Sequence, residues 1–261
     1  MKSNIDEKLI INVGDAKIGG GYFAYIAGPC AVESEDSLFS VASAVKKAGA
    51  TILRGGAYKP RTSPRDFQGL GAEGLKILVK VAKAVGLPTV SEIVDPRDID
   101  LFADVDMLQI GAKNMQNFSL LKEVGKTNKP VLLKRGFCNT LDELLLSAEY
   151  ITDAGNERVV LCERGIRTFE SANRFTLDLG GALRLKELTR FPVIIDPSHA
   201  SGRAELVEPL SLASAAIGAD GVEVETHCKP QDALCDGAQA IHPETFAEIV
   251  KKSEKIRRIA K

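Results

Sequence analysis

One ten-residue stretch, Arg54-Gly-Gly-Ala-Tyr-Lys-Pro-Arg-Thr-Ser63, holds three fixed cations and two hydroxyls. An arginine fork matches the oxygens of phosphate or carboxylate, and a lysine adds a compact point charge. Lys113, Lys134 and Arg164, with Arg135 beside Lys134, repeat the theme further along. So many cations repel one another if gathered in one place, unless a polyanion sits among them. The expected ligand therefore carries phosphate and carboxylate. A second set differs in kind: Cys30, His199, Glu225 and Asp236. Thiolate, imidazole and two carboxylates suit a divalent Mn, Fe, Co or Zn ion. Taken singly, Cys30 is more often a packed thiol and His199 a satisfied loop histidine. The spacing is not that of a zinc finger, so the four act together only if the fold assembles them.

The elements that must do so are legible. Short β-branched runs bounded by turn residues alternate with longer runs of helical period. The spacing predicts strands at Phe23–Ala27, Ala50–Leu53, Thr89–Glu92, Met107–Ile110, Val131–Lys134, Val159–Cys162, Val193–Ile195 and Gly221–Glu225. A helical pattern is expected after each, most clearly over Glu35–Lys47, Gly74–Val85, Leu141–Thr152 and Pro243–Ile259. Thr140-Leu-Asp-Glu143 reads as a capping box. Eight such units without a break in composition predict a single (β/α)8 TIM barrel. An open doubly wound sheet is the alternative. Leu9–Val13 and Ala16–Ile18 flank a Gly-Asp turn and predict a short β-hairpin over the lower end of the barrel. The expected division is a hairpin extension over residues 1–20 and a catalytic barrel over 21–261.

In such a barrel the loops after the strands converge at one face, and the active site lies there. The predicted strands end in turn on Gly28-Pro-Cys30, Arg54, Glu92, Gln109-Ile-Gly-Ala-Lys113, Lys134-Arg-Gly136, Cys162-Glu-Arg-Gly165, Asp196-Pro-Ser-His199 and Glu223-Val-Glu225. Asp236 follows in the last loop. One charged strand end is usually structural. A cation, carboxylate or soft ligand at nearly every end predicts one shared site.

Bulk properties narrow the class. The chain has 261 residues, with 44% hydrophobic and 26% charged side chains, as in ordinary globular proteins. The net charge of −1 gives no reason to expect nucleic acid or a membrane surface as partner. The polar start and the absence of a long apolar run predict a cytoplasmic chain without a membrane span. Five cysteines, an odd number, predict reduced thiols rather than a disulfide framework.

Gly28-Pro-Cys30, Lys59-Pro-Arg-Thr-Ser63, Ile110-Gly-Ala, Leu161-Cys-Glu-Arg-Gly165, Asp196-Pro-Ser-His199 and Asp236-Gly together resemble 3-deoxy-D-arabino-heptulosonate 7-phosphate (DAHP) synthase. The likeness runs from about Tyr25 to His242, and is to the short type I beta branch without a regulatory domain. It implies condensation of phosphoenolpyruvate with erythrose 4-phosphate, at the head of the shikimate pathway of aromatic amino acid biosynthesis. It places the metal ligands on Cys30, His199, Glu225 and Asp236. Phosphoenolpyruvate contacts fall on Arg54, Lys59, Lys113, Lys134 and Arg164, and erythrose 4-phosphate contacts on Arg61 and Thr62. Cys30, Lys59 and His199 are the implied catalytic groups, with Lys59 as proton donor. Glu92, Glu163 and metal-bound water are all open as activators of the attacking water. The resemblance also implies a homotetramer or homodimer. Lys113 stands where arginine is common in the family, and Thr226-His-Cys228 and Cys235 replace the usual neighbours of the last two ligands. With the barrel and hairpin using the whole chain, feedback inhibition by aromatic amino acids is expected to be absent.

Two rival activities share parts of this pattern. The related 3-deoxy-manno-octulosonate 8-phosphate synthase uses arabinose 5-phosphate, but its loop usually reads Asn-Arg-Ser-Ser where this chain has Pro60-Arg-Thr-Ser63. A Schiff-base aldolase would use Lys134, yet such a lysine must be desolvated to lower its pKa, not placed in an anion site.

Overall fold

Eight short parallel strands pair in a ring, each buried along nearly its whole length. In the computed structural model, which describes residues 7–260, they are β3 (Ala24–Gly28), β4 (Ile52–Arg54), β5 (Thr89–Glu92), β6 (Met107–Ile110), β7 (Val131–Lys134), β8 (Val159–Glu163), β9 (Val193–Ile195) and β10 (Gly221–Glu225). They follow chain order, and β10 closes the ring by pairing with β3 from Gly221↔Ala24 to Glu225↔Gly28. Near-continuous apolar runs suit strands covered on both faces. Inward residues such as Ile26, Ile52, Val90, Met107, Leu132, Val160 and Ile194 fill the lumen. Outward ones such as Leu53, Leu108, Leu133 and Leu161 pack beneath the helices. The open-sheet alternative is thereby excluded.

The predicted hairpin is present as β1 (Ile11–Val13) and β2 (Ala16–Ile18), paired antiparallel. Residues 1–6 of the expected extension lie outside the described residues. Ile11, Val13, Ala16 and Ile18 join the lumen cluster, so the hairpin plugs the lower end of the barrel. The upper end is left to the loops.

The helices are α1 (Glu35–Ala48), α2 (Ala72–Val85), α3 (Phe118–Gly125), α4 (Leu141–Asp153), α5 (Leu179–Leu188), α6 (Pro197–Ser201), α7 (Ala204–Ala216) and α8 (Pro243–Ile259). The capping box on α4 forms as expected: Thr140 Oγ1 accepts from Glu143 N, and Glu143 accepts from Thr140 N. One expected helix differs. After β5 the chain makes a 3₁₀ turn, Pro96–Phe102, instead of an α-helix. Asp95, Asp98 and Asp100 are poor helix-interior residues, and Asp95 caps Arg97 N. The tighter turn still buries Phe102 completely.

Candidate active site

The loops at the upper end surround an open cleft with an empty volume of about 780 Å³, including its mouth. Arg54, Lys59, Arg61, Thr62, Lys113, Lys134, Arg164, His199 and Asp236, all singled out in the sequence, line it. Cys30 and Glu225 lie just beneath, almost fully buried.

The four metal-type residues arrive from three loops and a strand end. Gly28 closes β3 with φ +151°, and a Cβ there would lie 2.1 Å from Arg54 O. Only glycine lets the chain turn so close to β4 and present Cys30. His199 rides on the short helix α6, whose N-cap is Asp196. Glu225 ends β10. Asp236 adopts a left-handed conformation, φ +53°, which aspartate tolerates better than most residues. One donor atom from each of the four lies within 4.8 Å of every other. His199 Nε2 is 3.2 Å from Glu225 Oε1, and Cys30 Sγ is 3.3 Å from Asp236 Oδ2.

The surroundings orient this set. Asp196 Oδ2 lies 2.7 Å from His199 Nδ1, which turns Nε2 toward the other three donors. A carboxylate behind a ligating imidazole is the usual way a metal-binding histidine is fixed. Gln239 Nε2 donates to Glu225 Oε2 at 2.5 Å, and Glu225 N donates to Ser198 Oγ. Burial disfavours charge on Glu225 and Asp196. Together, His199, Arg54 and Lys59 at Glu225, and His199 and Lys134 at Asp196, outweigh it, so both carboxyls stay ionised well below the usual range. A mixed set of thiol, imidazole and two carboxylates aimed at one point fits a first-row divalent ion.

Cys30 Sγ sits 3.1 Å from Cys235 Sγ. The hydrogen bond with Cys235, burial and the Glu225 charge push the Cys30 thiol well up. The same hydrogen bond, helped by Lys59 and Arg61, lowers Cys235. Cys30 is buried, and Cys235 is the more acidic partner.

The cations divide by what they touch. Arg54 reaches Glu225 at 2.7 Å and Glu223 at 3.0 Å. Lys134 reaches Asp196 at 2.5 Å and Glu223 at 2.6 Å. Burial opposes the Lys134 charge, but Asp196 and Glu223 outweigh it and hold the ammonium above the ordinary lysine range. Lys59 Nζ lies 3.0 Å from Cys30 Sγ, and Cys30, Cys235 and Glu92 likewise outweigh burial to keep it protonated. Arg164 is of another type. Its guanidinium stacks on Phe175 at 4.1 Å and Phe137 at 5.1 Å and donates to the carbonyls of Gly165 and His199. Among the described residues it makes no ion pair. Burial, with Arg174 nearby, lowers its pKa despite Asp196, and without an ion pair its charge is available to an anion. Lys113 donates to Pro60 O and Thr62 Oγ1, tying the two loops that carry the outer cations.

Arg135, counted with the cations in sequence, turns away from the cleft. It binds Glu163 and Asp178, each at 2.9 Å, and Asn139 O. That also removes Glu163 as a water activator, because its other oxygen accepts from Gly165 N and Asp178 N. Glu92 stays at the cleft wall. Gly111 makes room for it, since a Cβ there would lie 1.9 Å from Glu92 Oε1. Sequence reasoning missed Glu223 as a partner of Arg54 and Lys134, and Phe137, Phe175 and Arg174 around Arg164. Glu223 had a readable signal: it stands two residues before Glu225 on a strand, and so on the same face. The aromatics lie in long loops with no period to read.

Comparison with known proteins agrees with this geometry. The chain matches the DAHP synthetase I family over residues 4–259. It is 50% identical over 251 residues to phospho-2-dehydro-3-deoxyheptonate aldolase of Thermotoga maritima, an alignment covering 96% of this chain and 74% of that one. The crystal structure of that DAHP synthase superposes with a TM-score of 0.94 at 49% identity, over 97% of this chain and 75% of the other. A truncated form of 3-deoxy-D-arabino-heptulosonate 7-phosphate synthase from the same organism gives 0.91 at 46%, over 97% and 94%. A 2-dehydro-3-deoxyphosphooctonate aldolase from Geobacter sp. is 34% identical over 269 residues, 94% of this chain and 96% of that protein. The chain belongs to the DAHP synthetase I family.

Proposed function

We infer that this protein condenses phosphoenolpyruvate with erythrose 4-phosphate to give DAHP and inorganic phosphate, the first step of the shikimate pathway. The observation that carries the reading is that the cation-lined cleft opens directly onto the Cys30–His199–Glu225–Asp236 set, so a doubly anionic enol ester and a polarised aldehyde can meet there. Those four residues would hold a divalent Mn, Fe, Co or Zn ion, which would supply Lewis-acid polarisation of the aldehyde. Arg164, Lys134, Arg54 and Lys113 hold the phosphate and carboxylate of phosphoenolpyruvate. Arg61 and Thr62, nearer the mouth, hold the aldose phosphate. Fixing both substrates removes much of the entropic cost of bringing them together. C3 of the enol attacks the aldehyde carbon, and Lys59, held protonated, gives its proton to the developing alkoxide. Water adds at C2 as Glu92 takes its proton. The C–O bond to phosphate then breaks and phosphate leaves.

The octulosonate reading is not favoured, since those relatives are more distant than the Thermotoga enzyme. The Schiff-base reading fails on Lys134, whose two carboxylate partners oppose the neutral amine that reaction needs. By family likeness the chain works as a homotetramer or homodimer in the cytoplasm. No helix among the described residues is long and apolar enough to cross a membrane, and Phe118, Leu146 and Tyr150 leave an apolar face exposed on α3 and α4. The test is phosphate release from phosphoenolpyruvate with each aldose phosphate, with and without chelator. Release with erythrose 4-phosphate that chelation abolishes, and more than one divalent ion restores, is expected. Preference for arabinose 5-phosphate, or full activity in metal-free protein, refutes the reading.

A further inference from the structure

Glu223 has no part in the chemistry above, yet it occupies a costly position. It lies mid-strand on β10, facing the lumen, with 1% of its side chain exposed. It does not line the cleft but sits under two cations that do. Its Oε1 is 3.0 Å from Arg54 Nε and its Oε2 is 2.6 Å from Lys134 Nζ. Neither oxygen makes a regular hydrogen bond among the described residues; the contacts are close but off-axis, so charge rather than hydrogen-bond direction holds them. A buried carboxylate without cationic partners costs several kcal/mol, so this one must keep both cations where they are.

The other carboxylates near these cations have second duties. Asp196 orients His199, and Glu225 belongs to the donor set. Among the described residues, Glu223 forms ion pairs with Arg54 and Lys134 alone. The two cations stand on β4 and β7, which are not neighbours in the ring, and β10 adjoins neither. Glu223 is thus a tie across the lumen between the two innermost anion-binding groups.

We propose that Glu223 is a positioning residue for this reaction: it fixes the Arg54 and Lys134 head groups and so sets how deep the enol ester seats against the donor set. This rests on the functional reading above. Two consequences have opposite signs. A negative charge under the site weakens ground-state attraction for any anion. A fixed floor favours the reactive geometry, and a misplacement of about 1 Å can cost on the order of 100-fold in rate. Glu223→Gln keeps the shape and removes the charge. It should bind inorganic phosphate more tightly, leave KM for phosphoenolpyruvate unchanged or lower, and reduce kcat by roughly 10- to 100-fold. Glu223→Asp keeps the charge and should retain parent-like phosphate affinity with an intermediate kcat.

The experiment compares the parent, Glu223→Gln and Glu223→Asp, all with manganese present. Phosphate affinity is read by calorimetry, kcat and KM by phosphate release, and folding by circular dichroism. Tighter phosphate binding with lower kcat in Glu223→Gln, and charge-dependent recovery in Glu223→Asp, supports the proposal. Unchanged phosphate affinity, a raised KM at parent kcat, or an aspartate variant no better than the glutamine one overturns it. If Glu223→Gln does not fold, Glu223→Asp decides alone: parent-like phosphate affinity with intermediate kcat supports the proposal, and weakened phosphate binding overturns it. A parent that turns over neither aldose phosphate while the phosphate shift persists strikes the functional reading and not this one.

Discussion

At the scale of single residues, the cations are unequal. Arg54 and Lys134 are already paired with buried carboxylates, whereas Arg164 is held by ring faces and carbonyls and makes no ion pair among the described residues. Arg164→Ala should therefore damage phosphoenolpyruvate use most, with Lys134→Ala acting on the same substrate. Arg61→Ala should act mainly on erythrose 4-phosphate. A charge-assisted contact worth about 1.5–3 kcal/mol corresponds to roughly 10- to 150-fold in KM. Steady-state kinetics with each substrate varied in turn checks this. Equal rises in both Michaelis constants for all three variants would remove the two-subsite partition. The thiols give a second test. Cys30 and Cys235 lie sulfur to sulfur at 3.1 Å, with Lys59 and Arg61 favouring the Cys235 thiolate. Peroxide oxidises the more acidic Cys235 thiolate to a sulfenic acid, and attack by the Cys30 thiol on that sulfur then gives a disulfide and releases water. Metal-free protein treated with peroxide should no longer be activated by added metal until reductant is also supplied, while Cys235→Ser stays activatable by metal alone. Thiol counting before and after treatment reads it out, and equally fast loss in Cys235→Ser would point to Cys228 or to over-oxidation instead.

At the scale of elements, the strands were legible because both of their faces are covered. All eight appear within about two residues of their predicted ends, since a doubly buried strand is an apolar run with sharp polar limits. The α4 start was equally clear, because a capping box is a local signal. Thr140→Ala should lower stability by about 0.5–2 kcal/mol and leave kcat unchanged, since Thr140 lies outside the cleft. Urea unfolding paired with the phosphate-release assay measures both, and a fall in kcat would mean that α4 transmits to the site. The turn after β5 was misread because an aspartate-rich segment can still alternate at a helical period. Site residues were legible where a strand end dictated the direction of the side chain: Arg54, Lys134 and Glu225. Arg135 was not, because the residue after a strand end can turn either way. Here it found Glu163 and Asp178 behind the cleft. Nor could the sequence reveal that Asp196 serves Lys134 and His199 at once, since that depends on the closed ring.

At the scale of the molecule, the barrel is apolar at its plugged lower end and charged at its open one. Glu223, Glu225 and Asp196 alternate there with Arg54, Lys134 and His199. This has a definite pH signature. Asp196 and Glu225 are depressed in the folded state, so their contribution is complete above the unfolded carboxylate range of about pH 4 and is lost as pH falls below it. Glu163 opposes them, since burial raises it despite Arg135. Lys134 is raised, so its contribution is complete below about pH 10.4 and is lost as pH rises through the higher folded value. Stability should therefore be flat between roughly pH 5 and 8, above which the raised Cys30 and Cys162 thiols add an alkaline fall common to parent and variant. Lys134→Met leaves two buried carboxylates short of a partner, which costs about 3–5 kcal/mol near neutral pH. The variant also has no ammonium to lose there, so its stability should fall less between pH 9.5 and 11 than the parent's. Urea unfolding at pH 4, 7, 9.5 and 11 separates these terms. An alkaline slope identical in parent and variant would place the titrating charge elsewhere, and an unchanged midpoint at pH 7 would mean that Asp196 and Glu223 find other partners when the lysine is gone.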